Sequence, residues 1–383
     1  MKKTIKVSLN KFPAIPISLL STAGAQIGEI EVDLARLYHH HYLDTRGTEP
    51  PNPDPTQFQH LSLLLPTSDF RVRGDGFGTH SAYRQHVSNE LGQAFCRWFL
   101  DEYLNVTYFA HMEHVLNRGS QPDFGGARVE RVKSGDTPDY LCARDRNSVS
   151  LAEAKGRVAS ISFTNAKFKE WREQFDRVIV KDSGGTPRSV KGYIVATRFA
   201  MESAPYVNSQ IFAEDPESQG EGALRDDPSL GDMVIALHYS TIAAKLRQPI
   251  LSAALETGVR VSEEIQFPAT VWEILLPPYE KKRFVGGYFA GPDGVAPVQI
   301  KNGNLHFLPV DPLRIDFAPG TFFGVEESVF QAICAMARSR ETGVIDLNPI
   351  PRPVFFYSAI SYLRDGSIIG PVDFFRPLQR IAY

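Results

Sequence analysis

Between residues 80 and 200 the chain switches repeatedly between a helical and a strand-like pattern of apolar positions. Val87, Leu91, Phe95 and Trp98 recur at four-four-three spacing with Ala94 beside them, which predicts a helix over SAYRQHVSNELGQAFCRWFLDEYL. VTYFAHM then reads as a strand, and the Gly- and Ser-bearing NRGSQPDFGG as a loop. DYLCA and SVSLAEAK predict two further strands joined by a polar turn at Arg144 to Asn147. In FTNAKFKEWREQFDRVIV the helical period returns, with Phe168, Trp171, Phe175 and Val178 on its buried face and Thr164 at the N-cap. GYIVATRF, an unbroken apolar run after a Gly-Gly-Thr-Pro turn, predicts a strand covered on both faces. Helix, strand, paired strands, helix, strand is an α/β (α+β) order by layer rules.

The flanks divide the chain further. Residues 1–79 read as a lead-in or small subdomain containing the Pro-rich connector EPPNPDPTQ, and 80–213 as the first full domain. Residues 214–232, EDPESQGEGALRDDPSLGD, read as an acidic loop or linker, and 233–383 as a second α+β region for specificity, assembly or regulation. That region opens with a helix in which Pro249 starts a new turn or makes a kink, and ends with a hairpin turning at Arg364-Asp365-Gly366. Tyr38-His39-His40-His41-Tyr42 reads as a polar surface turn, because neighbouring histidines diverge on either a strand or a helix.

Composition changes this picture little. With 383 residues, 43% hydrophobic, the chain has material for a substantial core, and a net charge of -3 argues against coating nucleic acid by bulk positive charge. Cys96, Cys142 and Cys334 are few, odd in number and far apart, which points to a reducing cytoplasm. The basic N-terminus resembles a secretory signal, but Asn10, Lys11, Pro13 and Pro16 interrupt its apolar middle, so export is not expected. No run of about 18 apolar residues predicts a membrane span.

Period-two alternation puts Val149, Leu151, Glu153 and Lys155 on one face of SVSLAEAK, and Ser150, Ala152 and Ala154 on the other. If DYLCA pairs with this strand as a hairpin, the Asp139 carboxylate lies beside Glu153. Two carboxylates and an ammonium at a strand end suit a hard divalent cation such as Mg²⁺ and a polarised water. The plain alternative is a turn-starting Asp139 and a Glu153–Lys155 surface ion pair contributing about 0–1 kcal/mol. A glycosidase acid–base pair would leave Lys155 and Gln174 unused, Gly74-Asp75-Gly76-Phe77-Gly78 lacks the ending of a phosphate loop, and no GxSxG elbow occurs.

Pro138-Asp139 followed by Glu153-Ala154-Lys155 resembles the signature of the PD-(D/E)XK, or restriction-endonuclease-like, nuclease superfamily. Glu90 on the preceding helix and Gln174 on the following one stand where many members carry a Glu and a Gln. The resemblance covers about 80–200 and implies a restriction-endonuclease-like core, a mixed central sheet flanked by helices. It also implies hydrolysis of phosphodiester bonds by a Mg²⁺-dependent endonuclease, with Mn²⁺ able to substitute. Asp139, Glu153 and the Ala154 main-chain carbonyl would hold the metal, Glu90 would complete or orient its shell, Lys155 would assist the water and Gln174 would position Lys155, water or substrate. Arg144, Arg146, Arg157, Lys167, Lys169 and Arg172 surround these elements and are candidates for contacts to backbone phosphates, or ordinary surface charge. DNA is favoured as the substrate, with genome defence as the setting and a homodimer or accessory partner compatible with the family. A non-catalytic interaction module and an RNA-cleaving toxin are the competing readings.

Overall fold

The computed structural model describes residues 2–44, 63–78, 80–117, 126–216, 228–289, 298–301, 304–307, 320–338, 347–354 and 359–383. The EPPNPDPTQ connector and most of the NRGSQPDFGG loop lie outside them. The described residues fall into two units, one over 2–44 and 63–238, the other from 239 to 383.

A seven-stranded mixed sheet forms the first unit. Its strands are β1 (Lys2–Asn10), β2 (Glu29–Asp33), β3 (Tyr108–His111), β4 (Tyr140–Asp145), β5 (Ser148–Arg157), β6 (Lys191–Arg198) and β7 (Gln210–Glu214), in the order β2-β1-β7-β6-β5-β4-β3. β3–β4, β4–β5, β6–β7 and β1–β2 pair antiparallel, whereas β5–β6 and β7–β1 are parallel. The stretch read as a lead-in thus supplies two strands of the central sheet. The helices that bear on the site are α1 (Leu34–Asp44), α2 (Ser81–Leu104) and α3 (Ala166–Gln174).

The hydrophobic period explains α2: Val87, Leu91, Phe95 and Trp98 are all buried. Its packing on β5 depends on two glycines. A Cβ on Gly156 would lie 1.6 Å from the Ser88 carbonyl oxygen, and one on Gly92 would lie 2.4 Å from the Gly156 nitrogen. The face of β5 carrying Ala152, Ala154 and Gly156 therefore meets α2, and alternation turns Glu153 and Lys155 to the opposite face. There Phe168 and Trp171 of α3 pack with Ile194 and Ala196, the partners of Glu153 and Lys155 on β6.

α3 is shorter than its apolar spacing predicts. Asn165 rather than Thr164 caps it, its side chain accepting from the Phe168 amide at 2.8 Å. After Gln174 the chain passes through a 3₁₀ turn into a strand, Val178–Lys181, which pairs with Arg128–Arg131. β-branched Val-Ile-Val favours that extended pairing over another helical turn.

The Tyr38-His39-His40-His41-Tyr42 run is not a surface turn. It lies inside α1, where His39 and His40 are buried and the His40 Nε2 stands 3.5 Å from Asp101 of α2. The region read as an acidic loop keeps less of itself as loop than expected: Glu214 ends β7, and a helix, α4 (Ser229–Lys245), begins four residues before Met233. The division between the units, at His238 and Tyr239, falls inside α4.

In the second unit α5 (Pro249–Thr257) starts with Pro249 at its first turn, as the sequence predicts. A six-stranded antiparallel sheet follows, comprising β8 (Pro268–Ile274), β9 (Arg283–Phe289), β10 (Thr321–Glu326), β11 (Ser361–Tyr362), β12 (Ser367–Pro371) and β13 (Phe375–Ala382) in the order β11-β12-β10-β9-β8-β13. Trp272, Phe284, Phe322, Ile368 and Phe375 form its core, and α6 (Glu327–Arg338) packs on β9 and β10. Among the described residues no helix is long and apolar enough to cross a membrane. Cys96, Cys142 and Cys334 are all buried free thiols.

Candidate active site

The hairpin of β4 and β5 pairs Tyr140 with Ala152, so β5 runs on past the start of β4 while still paired with β6. At that point β5 loses its neighbour on one side, and the Ala154 amide needs a new acceptor. Asp139, the residue just before β4, provides it: its Oδ2 accepts from the Ala154 nitrogen at 2.8 Å. A residue's N–H and C=O face the same neighbour in a strand, so the Ala154 carbonyl also faces the Asp139 side.

Glu153 and Lys155 project beside this carboxylate, as the alternation requires. The Lys155 ammonium touches Glu153 Oε1 and stands 3.9 Å from Asp139 Oδ2. One nitrogen within about 4 Å of both carboxylates keeps them closer than the separation of about 8 Å at which joint ligation of one ion would fail. Glu153 is 0% exposed, and its polar contacts are the Lys155 ammonium at Oε1 and the Asp139 carboxyl. Burial pushes its carboxyl well above the usual carboxylate range, Asp139 adds to this and Lys155 opposes it. Burial would lower the Lys155 ammonium, but the negative charges of Glu153 and Asp139 outweigh it and hold the ammonium above its ordinary value.

Lys155 opens on a cleft of about 660 Å³ between the N-terminal half of α2, the end of β5 and α3. Arg84, Lys155, Arg157, Lys167 and Arg177 line it against Asp136 and Glu170, a clear cationic excess in a chain of net charge -3. Gln174 lines it too, being only 4% exposed, and its Oε1 has no hydrogen-bond partner. The geometry thus gathers Asp139, Glu153, Ala154, Lys155 and Gln174 about one strand end.

Glu90 is not brought to this group. It lies on α2, packed on the other face of β5, with His86 Nε2 at 3.5 Å. Burial raises its carboxyl, His86 opposing and Asp44 adding. Among the described residues no set of three or more His, Cys, Asp or Glu side chains is arranged to hold a metal ion. Two carboxylates with a main-chain carbonyl nevertheless fit a hard ion that keeps several waters, and the buried Glu153 carboxylate beside Asp139 offers acceptors such an ion would meet.

The candidate phosphate contacts sort into two kinds. Arg146 forms a two-pronged ion pair with Asp232 of α4, at 2.6 and 2.8 Å. Arg172 does the same with the buried Glu214, at 2.5 and 2.8 Å. Arg144 donates to the Tyr193 hydroxyl at 3.1 Å, and Lys169 is exposed on α3 away from the cleft lining. Arg157 and Lys167 do line it, Arg157 lying 5.4 Å over the Trp171 ring and Lys167 paired with Glu170 at 2.8 Å. Arg84, Arg177 and Asp136 are cleft residues that the pattern of the sequence passes over. Arg177 follows Gln174 by three positions, and Arg84 precedes Ser88 by four, so helical spacing from known neighbours is the signal that locates them.

A second polar cluster occupies the α2 side of the sheet. Asp44 accepts from Tyr140 at 2.7 Å and from Arg97 at 3.1 Å, with His111 at 3.3 Å. Its charged partners hold the Asp44 carboxyl far below the usual range despite full burial. Comparison with protein-family models, with curated proteins and with solved structures gives no match for this chain.

Proposed function

We propose that the chain is a Mg²⁺-dependent endonuclease that hydrolyses phosphodiester bonds, with DNA favoured as substrate. The observation that carries this reading is the meeting of Asp139, Glu153 and Lys155 where β5 outruns β4, at the edge of a cationic cleft. The order α2-β3-β4-β5-α3-β6, with an antiparallel meander followed by a parallel strand, supports a restriction-endonuclease-like core around it.

In this reading Asp139 and Glu153 hold the ion, aided by the Ala154 carbonyl. When bound, the ion polarises a phosphoryl oxygen and acidifies water. Lys155 donates to the negative charge that develops on the phosphate, and Arg84, Lys167 and Arg177 fix the flanking phosphates. Water's oxygen joins phosphorus as the bond to the leaving nucleotide oxygen breaks, and that oxygen takes up a proton.

Incubation of the purified chain with plasmid and with RNA, in Mg²⁺ or in EDTA, tests this. The expected result is metal-dependent DNA cleavage that falls by at least about 100-fold in Lys155→Ala. Binding without cleavage in any metal would overturn it in favour of an interaction module, and cleavage of RNA alone in favour of an RNA-cleaving toxin.

A further inference from the structure

We infer that the Lys155 ammonium is the resident counter-cation of the Asp139–Glu153 pair, and that a divalent cation enters by exchange with it, the ammonium passing to Gln174 Oε1. This rests on the reading of Asp139 and Glu153 as the cation site. The ammonium already touches Glu153 Oε1 and stands 3.9 Å from Asp139 Oδ2, so it occupies the position between the carboxylates that a metal would take.

Among the described residues no other cation stands within ion-pair distance of Glu153, which is fully buried and absent from the cleft wall while Lys155 forms part of that wall. An ion arriving from the cleft therefore encounters Lys155 before Glu153. Two cations cannot share so small a site without strong repulsion in a poorly screened interior. The displaced ammonium needs an acceptor, and Gln174 Oε1 is a buried acceptor with no partner on the same cleft wall. The exchange gives Gln174 Oε1 a donor, and it leaves Lys155 facing the substrate side of the cleft.

The test reads cation affinity rather than cleavage. Free Mn²⁺ is measured by electron paramagnetic resonance during titration of the wild-type chain, Lys155→Met, Gln174→Leu and the double variant. Loss of the competing ammonium is expected to tighten Mn²⁺ binding by at least about tenfold in Lys155→Met. Loss of the acceptor is expected to weaken it several-fold in Gln174→Leu. Because Gln174 acts through Lys155, the double variant should bind as Lys155→Met does.

A wild-type chain that cleaves DNA, with a Lys155→Met variant that binds Mn²⁺ no more tightly, overturns the exchange and leaves the nuclease reading standing. Absence of Mn²⁺ binding in every chain overturns both. Should a variant fail to fold, crystals of the wild type grown with Ca²⁺ decide the point: Lys155 Nζ on Gln174 Oε1 supports the exchange, and Nζ still on Glu153 overturns it.

Discussion

Glu153 is the residue on which stability and chemistry pull in opposite directions. Burial keeps its carboxyl protonated to higher pH in the folded chain than in the unfolded one, so between those two values the native state holds the extra proton. Stability therefore falls as pH rises through that window, and Glu153→Gln removes the slope. Urea midpoints of the variant should vary less with pH than those of the wild type, with the variant the more stable at the alkaline end. If Glu153 holds a divalent ion as proposed, the same proton must leave on binding, so calorimetric titration should show Mg²⁺ affinity rising with pH. Asp139, Glu153 and Lys155 were legible in the sequence because strand alternation is a local rule: once DYLCA and SVSLAEAK pair, the three side chains have no other face to take. Glu90 shows the limit of that rule. Helical spacing places it near Val87 and Ala94, but which face of β5 that helix covers is decided by Gly92 and Gly156, whose role only the packing reveals.

At the scale of elements, those two glycines set how closely α2 approaches β5. A methyl at Gly156 would overlap the Ser88 carbonyl, so Gly156→Ala should cost about 3 kcal/mol, read as a lowered melting temperature, and should shift the strand end that carries Lys155. Arg146 and Arg172 belong to this scale too. Each joins elements distant in the chain, the β4–β5 turn to α4 and α3 to β7. Arg146→Ala and Arg172→Ala should each lower stability by about 2–3 kcal/mol and leave nucleic-acid affinity unchanged, as chemical denaturation and fluorescence anisotropy would show. Sequence alone left both as phosphate contacts or ordinary surface charge because their acidic partners, Asp232 and Glu214, lie 86 and 42 residues away. The strand Val178–Lys181 was missed for a related reason: Val178 keeps the helical spacing of Phe168, Trp171 and Phe175, and its extended partner Arg131 is remote.

For the whole molecule, net charge conceals a local field. Arg84, Arg157, Lys167 and Arg177 concentrate positive charge in one cleft of an acidic chain, so on the nuclease reading proposed above affinity for DNA should fall steeply with salt. Anisotropy titrations from about 50 to 200 mM salt should show the slope of log K against log salt reduced by about 1 on replacing Arg84 or Lys167 with Gln. The mixed sheet was legible from α2 to β6, where successive elements are neighbours, but its other half was not. Lys2–Asn10 carries ordinary alternation, and nothing local reveals that it sits beside Gln210–Glu214. That pairing has a consequence for synthesis. At about 5–20 residues per second, roughly 10–40 s separate the making of β1 from the making of its parallel partner β7. Throughout that interval β1 presents a free hydrogen-bonding edge, which makes the nascent chain a client for chaperones that shield exposed strands and a candidate for mispairing wherever synthesis pauses before β7.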